Sequence, residues 1–375
     1  MRALATVDPA DPVAFRAAVE RALDGADPLA LGFEPGAQDR VPDGTAVVIA
    51  TSGSTGVPKR VVLSAAALRA SAAATAERIG SGSWLLALPA GYVAGLQVVV
   101  RSVLAATTPA VLRGSFRPEA FAELAAALPA DGARLTSLVP AQLLALVERA
   151  EQDRAVRDAL GVFDALLIGG QALPVPLRER AAALGARVVR TYGSSETAGG
   201  CVYDGVPLAG VRASTDEAGE LRIGGPTLAD GYLGDEALTA DRFVADDGGR
   251  WYRTGDLGEV VDGVVRVTGR ADNVIVSGGV NVSLDRVERA VRSVPGLEGA
   301  VVVPVPDERW GQGSAIVAPA AGIAESALLA AAREQVTGEV GAPARPGRIL
   351  LVDALPMLSS GKPDRRAIAE LADPR

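Results

Sequence analysis

Between Ala46 and Thr191, short aliphatic and β-branched runs alternate with Ala-rich stretches of helical spacing, and this alternation limits the fold more than any other feature. Strands are expected at 46–51, 84–87, 134–139, 165–169 and 187–191, with helices at 64–79, 118–128, 140–150 and 174–183 between them. Strands alternating with helices of this length predict a parallel sheet covered by helices. From 202 to 268 the pattern changes to short strands with Gly-rich turns, at 220–224, 251–253, 257–260 and 264–268, which predicts a small antiparallel sheet or barrel. After Gly269-Arg270-Ala271-Asp272 comes a third section, with strands expected at 273–277, 300–305, 314–318 and 348–352 and helices at 284–294 and 327–340; 341–347 reads as a loop. The expected fold class is α/β. Residues 1–270 form a large N-terminal domain, whose helix-covered, mostly parallel sheet carries a small antiparallel β subdomain at about 202–268; residues 271–375 form a small α+β C-terminal domain.

The 375 residues are enough to bury two cores, and the 49% hydrophobic content is largely alanine. The most apolar stretch, 84–100, contains Gly91, Gly95 and Gln97 and closes at Arg101. A membrane span needs about 20 predominantly apolar residues, so this stretch reads as buried strand and helix. The first residues reach Asp8 without the apolar core of a signal peptide, and a cytoplasmic protein with no membrane partner is expected. A single cysteine, Cys201, excludes a disulfide framework and reads as a small buried hydrophobe. The chain has no histidine. That removes Ser-His-Asp and Cys-His catalysis, and with one Cys no ordinary zinc site remains. A net charge of −8 argues against a nucleic-acid partner. An anionic substrate must therefore be met by locally placed cations.

Of the 37 basic residues only Lys59 and Lys362 are lysine, and all the others are arginine. Arginine replaces lysine wherever a surface charge suffices, but not where a compact ammonium must contact a phosphate or carboxylate oxygen. The two lysines are thus candidates for chemistry. Lys59 closes Thr51-Ser52-Gly53-Ser54-Thr55-Gly56-Val57-Pro58-Lys59, which follows an expected strand and is expected to precede a helix. Glycines let backbone N–H groups turn inward, hydroxyls add donors and Lys59 adds charge, which together make a phosphate cradle. The spacing is not that of a Walker A loop.

This stretch resembles the phosphate loop of the adenylate-forming superfamily, which comprises acyl-CoA synthetases, luciferases and peptide-synthetase adenylation domains. Further motifs follow in that superfamily's order. Gly169-Gly170-Gln171-Ala172-Leu173-Pro174 resembles its adenine-side loop, and Thr191-Tyr192-Gly193-Ser194-Ser195-Glu196-Thr197 its Y-G-x-[ST]-E-T core. Tyr252-Arg253-Thr254-Gly255-Asp256-Leu257 resembles its Y-R-T-G-D-L segment, Gly269-Arg270-Ala271-Asp272 its hinge, and Leu358-Ser359-Ser360-Gly361-Lys362 its C-terminal lysine motif.

The resemblance implies an enzyme that joins a carboxylic acid to ATP as an acyl-adenylate with release of pyrophosphate, then passes the acyl group to coenzyme A with release of AMP. ATP, Mg²⁺ and coenzyme A are implied, with Lys362, Glu196 and Lys59 as the catalytic set and Glu196 as the metal ligand. Thr51, Ser52, Gly53, Ser54, Thr55, Gly56, Gly169, Gly170, Gln171, Tyr192, Gly193, Ser194, Thr197, Asp256 and Arg270 are implied to bind ATP. Tyr192 would stack on adenine, Asp256 would accept the ribose hydroxyls, and Lys362 would bridge the acid and the α-phosphate. A carboxylate is already a nucleophile at neutral pH, so the reaction needs no histidine. The superfamily pivots at the position of Asp272, which makes the C-terminal domain mobile and brings Gly278 and Gly279 to a pantetheine channel; a plain turn is the other reading of that glycine pair.

The phosphate loop begins early in the chain, and compact members of this kind resemble the o-succinylbenzoate–CoA ligases of actinobacterial menaquinone synthesis. The acid pocket is then expected to include Tyr92, Gly95, Arg101, Gly199 and Gly200. Tyr92 stands where the superfamily commonly has His in L-P-x-x-H-x-x-G, so a cationic role there is excluded. Arg101 is the candidate to pair the acid's second carboxylate, because a buried unpaired carboxylate is costly; an arginine that buries its stem with its head in solvent is the alternative. Transfer to a carrier protein or an amine, and a silent nucleotide-binding regulator, remain rival readings. The sequence leaves the assembly open, a homodimer included.

Overall fold

The structure, a computed structural model, describes residues 1–51, 58–307, 309–320, 322–358 and 360–373. The chain divides into two compact units. One comprises Met1–Gly170, Ala181–Thr254 and Val260–Val265, the other Gln171–Arg180, Gly255–Glu259 and Arg266–Arg375.

The first unit is built on a seven-stranded sheet in the order Val206–Pro207, Gly199–Tyr203, Val188–Ser194, Ala165–Ile168, Ala133–Leu138, Gly82–Leu86, Ala110–Val111. The last five are mutually parallel, Gly199–Tyr203 is antiparallel to its neighbour Val188–Ser194, and Val206–Pro207 is antiparallel to Gly199–Tyr203, so the expected α/β class holds. Ala165–Ile168 is buried along its whole length, as a strand covered on both faces must be. The helices start where local chemistry places them. Ser64 accepts the Ala67 N–H at 3.1 Å to cap Ala65–Ile79, and Pro140 opens Pro140–Ala150. Trp84, Leu85, Leu96, Leu135 and Leu166 form the centre of the core.

Beside this sheet lies a second, ordered Gly231–Tyr232, Lys59–Ser64, Thr45–Thr51, Leu29–Leu31, Ala5–Thr6. It corrects one expectation: the segment after Thr51 leads not into a helix but into a strand. Thr51 pairs with Lys59 and Ile49 with Val61 in an antiparallel hairpin, and the helix begins only at Ala65. Lys59 is thus fixed by sheet hydrogen bonding rather than by a helix N-terminus. The small antiparallel sheet is present in the order Arg212–Thr215, Glu220–Gly224, Gly249–Val261, Phe243–Asp246. The strands expected at 251–253 and 257–260 are one strand, Gly249–Val261, which passes through Gly255 at φ 75. Only glycine adopts that conformation at little steric cost.

In the second unit Val301–Asp307 and Arg348–Val352 flank Gly311–Pro319, antiparallel and parallel respectively. Leu284–Val291 and Glu325–Glu339 pack into one apolar cluster, Arg365–Ala372 into another. Glu288, only 6% exposed, accepts from the Val302 N–H at 3.0 Å and pairs with Arg292 at 2.9 Å and Arg365 at 2.8 Å. This network fastens the last helix to the sheet. A strand absent from the sequence reading, Val280–Ser283, pairs with Val274–Ser277 around Gly278 (φ 57) and Gly279 (φ 83). Two central residues of positive φ define a two-residue type I′ hairpin turn, so this pair is first of all a turn. Among the described residues no helix is long and apolar enough to cross a membrane.

Candidate active site

In the first unit the candidate residues gather where the parallel strands end. Gly169 follows Ala165–Ile168, and a Cβ there would lie 2.3 Å from Thr191 Oγ1; a Cβ on Gly193 would lie 2.1 Å from the Gly199 carbonyl oxygen. Both positions require glycine because neighbouring chain passes too close for a side chain. Gly170 has φ 82. Tyr192, Gly193 and Ser194 finish the strand Val188–Ser194, and the single 3-10 turn Ser195–Thr197 presents Glu196. Thr197 fixes that turn: its hydroxyl accepts the Ser194 N–H at 2.9 Å and reaches the Gly199 carbonyl at 2.8 Å.

Glu196 is 7% exposed, and its Oε1 accepts a hydrogen bond from the Tyr232 hydroxyl at 2.9 Å. Burial first, and then the neighbouring Glu196 charge, push the Tyr232 phenol above its ordinary range. The Lys59 ammonium lies over the Tyr232 ring, 5.8 Å from its centroid. Lys59, Tyr232 and Glu196 thus form one group, and Tyr232 is the member that sequence reading missed. Thr51 stands opposite Lys59 across the hairpin, its hydroxyl 3.4 Å from the Lys59 carbonyl. Ser52, Gly53, Ser54, Thr55 and Gly56 lie outside the described residues.

The acid-side candidates share the helix Val93–Leu104 and the strand Gly199–Tyr203. Tyr92 precedes the helix, and Gly95 lets it pack on the preceding turn, where a Cβ would be 2.2 Å from the Pro89 carbonyl oxygen. Gln97 Nε2 donates to the Ala198 carbonyl at 2.8 Å, and a Cβ on Gly199 would meet Gln97 at 3.3 Å. A Cβ on Gly200 would lie 3.0 Å from the Tyr203 ring.

Arg101, 7% exposed, donates to Thr75 Oγ1 at 3.1 Å and to the Tyr203 hydroxyl at 3.4 Å, and stands 5.1 Å from the Trp84 ring centroid. Its Nε has no partner, and among the described residues no carboxylate pairs with it. Burial lowers its pKa, with Tyr203 opposing. The alternative reading, in which its head reaches solvent, is therefore not met. Arg101 also lines a cavity of about 230 Å³ with Thr75, Trp84, Gly80, Ser81 and Leu104. That cavity lies where Gly82–Leu86 begins, whereas Gly169 and Ser194 stand where their strands finish. Cys201 is fully buried, and burial pushes its thiol up to about 12. It is inert packing, as expected.

In the second unit Arg270 is a node. Its guanidinium meets Asp256 at 3.2 Å and grips both oxygens of Asp272, at 2.7 and 2.9 Å, while its N–H donates to Asp285 at 2.7 Å. The Ala271 N–H donates to the Gly255 carbonyl at 3.0 Å. The segment Gly269–Asp272 is thus bonded at both ends. Gln171 belongs to this unit and is partly exposed. Trp310 covers Gly278, where a Cβ would lie 2.6 Å from its ring. Lys362 is exposed on a turn closed by the Leu358 N–H to its carbonyl at 2.8 Å, with Gly361 at φ 79.

ATP and magnesium fit the residues of the first unit. Ser194 Oγ is buried without a partner, which is uncommon for a polar atom and suits a ligand atom beside Tyr192 and Glu196. Among the described residues no three His, Cys, Asp or Glu side chains converge. A magnesium ion would therefore be held by Glu196 together with oxygens of ATP, as this ion commonly is.

Comparison with known proteins matches the AMP-binding enzyme profile to residues 5–233 and the AMP-binding enzyme C-terminal domain profile to residues 286–362. The chain is a member of the AMP-binding enzyme family. Its relatives in that family include a probable 2-succinylbenzoate–CoA ligase of Mycobacterium tuberculosis, 40% identical over 94% of this chain and 93% of that protein. A 2-succinylbenzoate–CoA ligase of Geobacillus kaustophilus is 32% identical over 87% of this chain and 69% of its own length. Among solved structures of this fold, an E. coli MenE variant with bound OSB-AMS has a TM-score of 0.72 and 26% identity, over 92% of this chain and 72% of that chain. This AMP-binding enzyme therefore has the two-domain architecture of adenylate-forming enzymes.

Proposed function

We propose that this AMP-binding enzyme is an acid–CoA ligase acting on o-succinylbenzoate in menaquinone synthesis. The observation that carries the reading is the 40% identity, over 94% of the chain, to a protein named for that reaction. A carboxylate oxygen of the acid attacks the α-phosphorus of ATP, and the bond from that phosphorus to pyrophosphate breaks. The coenzyme A thiolate then attacks the acyl carbon, and AMP leaves with the electron pair. Magnesium, when bound, offsets phosphate charge through Glu196. Lys59 and Thr51 bear on the phosphates, Tyr192 and Gly169–Gly170 on adenine, and Asp256 on the ribose. Lys362 neutralises the charge that develops at phosphorus. Asp272 is the proposed pivot, and Gly278–Gly279 the turn that meets pantetheine.

The acid has a second carboxylate that must be held and not activated. Arg101 is the candidate because its guanidinium is buried, is oriented by two hydroxyls and, among the described residues, pairs with no carboxylate. The cavity it lines lies at the beginning of Gly82–Leu86 and not at the strand ends, so kinetics decides between holding the acid and a structural role. A charge-assisted hydrogen-bonded pair contributes about 1.5–3 kcal/mol. Arg101→Leu is therefore expected to raise KM for o-succinylbenzoate by roughly 10–100-fold and to spare KM for ATP. It should also narrow the preference over 4-phenyl-4-oxobutanoate, which lacks the second carboxylate. Steady-state kinetics with both acids, with products read by mass spectrometry, checks this. Equal use of both acids by the unaltered enzyme would refute the dicarboxylate pocket. Acyl transfer to a carrier protein or amine but not to free coenzyme A would refute the ligase, and no acid-dependent pyrophosphate exchange would leave a silent binder.

A further inference from the structure

We propose that Tyr232 is a positioning residue that aims the Glu196 carboxylate and keeps it apart from Lys59. The inference rests on the reading of Glu196 as the magnesium-side carboxylate, and it adds a residue that the motifs do not name.

Tyr232 is held on every side. It is 5% exposed, and it is paired with Val61 in the strand Gly231–Tyr232. Its N–H donates to Thr239 Oγ1 at 2.9 Å. Its ring packs on Phe243 at 5.7 Å, and Phe243 packs on Tyr252 at 5.2 Å. The Tyr232 hydroxyl donates to Glu196 Oε1 at 2.9 Å. The result is a ring wedged in an aromatic row that spends one carboxylate oxygen on a buried donor. With that oxygen fixed, the direction of the other is set before any ligand arrives, which is how a buried supporting residue orients a ligating side chain.

The choice of a phenol has an electrostatic reason. An arginine or lysine donor would neutralise Glu196 and weaken its hold on a cation, whereas a neutral hydroxyl leaves the full charge. Lys59 lies over the face of the same ring, and among the described residues it makes no ion pair with Glu196. Without the ring as a spacer the two opposite charges would attract one another directly, closing the space between phosphate cation and metal carboxylate. One aromatic ring thus supplies the donor on its edge and the separation on its face.

The test is calorimetric titration of the full-length protein with ATP at several Mg²⁺ concentrations, alongside thermal unfolding and steady-state kinetics. Tyr232→Phe removes the donor and keeps the spacer. It is expected to raise the Mg²⁺ concentration needed for half-maximal ATP affinity by roughly 10-fold. ATP binding without metal and the melting temperature should change little, and KM for MgATP should rise more than kcat falls. Tyr232→Leu removes both features and should produce a larger shift. Phe243→Leu, which loosens the packing of the ring and leaves Tyr232 itself intact, should produce a smaller shift in the same direction and serves if Tyr232 variants do not fold. Glu196→Ala is the control. If it abolishes the magnesium effect while Tyr232→Phe and Phe243→Leu leave that effect as in the parent, the positioning role is overturned and the Glu196 reading stands. If Glu196→Ala also leaves the magnesium effect unchanged, both are overturned.

Discussion

Lys362→Ala is expected to slow acyl-adenylate formation by about 10²–10³-fold, the effect of removing one preorganised donor from developing oxyanion charge. The side chain is exposed, and the residue closes its turn through its backbone carbonyl. The melting temperature, measured alongside, separates a catalytic loss from a loss of folding. The thioester half of the reaction should survive, because the AMP leaving group is then already in place. Pyrophosphate exchange measures the first step, and conversion of a supplied acyl-adenylate by coenzyme A measures the second. Near-normal exchange by the variant would end the assignment.

Asp256→Ala should raise KM for ATP by on the order of 10²-fold. A carboxylate accepting two ribose hydroxyls makes two hydrogen bonds to a charged group, each contributing about 1.5–3 kcal/mol. The Asp256–Arg270 contact at 3.2 Å will not mask this result, because Arg270 is 44% exposed and such pairs contribute little. Arg270 also keeps its two-pronged hold on Asp272 after the change, so the hinge motif should stay ordered. Titration of the variant with ATP and with 2′,3′-dideoxy-ATP separates the outcomes. Loss of discrimination between the two nucleotides supports the ribose role, and retained discrimination contradicts it.

The parts of the fold that could be read in advance were those where burial leaves a periodic signature. The strand Ala165–Ile168 is apolar throughout because both its faces are covered, and Pro140 marks its helix start by its own geometry. What was not legible was local pairing. Lys59–Ser64 is a short strand placed directly against the Ser64 helix cap, and its partner lies across a Gly- and Ser-rich segment that carries no strand periodicity. Val280–Ser283 was hidden in the same way behind two glycines. In the site, the two lysines stood out because the chain uses arginine elsewhere. Their neighbours did not: Tyr232 is 36 residues from Glu196, and Tyr203 is 102 residues from Arg101. A tyrosine that donates a hydrogen bond across the fold looks in sequence like any core aromatic.

The scarcity of lysine also decides how this protein can be handled. Apart from the N-terminus, its only primary amines are those of Lys59 and Lys362, one partly buried beside Tyr232 and the other exposed on its turn. Its single thiol is sealed in the core. Dyes, crosslinkers and resins that couple through side-chain amines thus have no neutral anchoring point: each adduct falls on a group proposed to meet ATP. The same fact makes amine labelling a report on the two lysines proposed to meet ATP, with the N-terminal amine as the other reactive group.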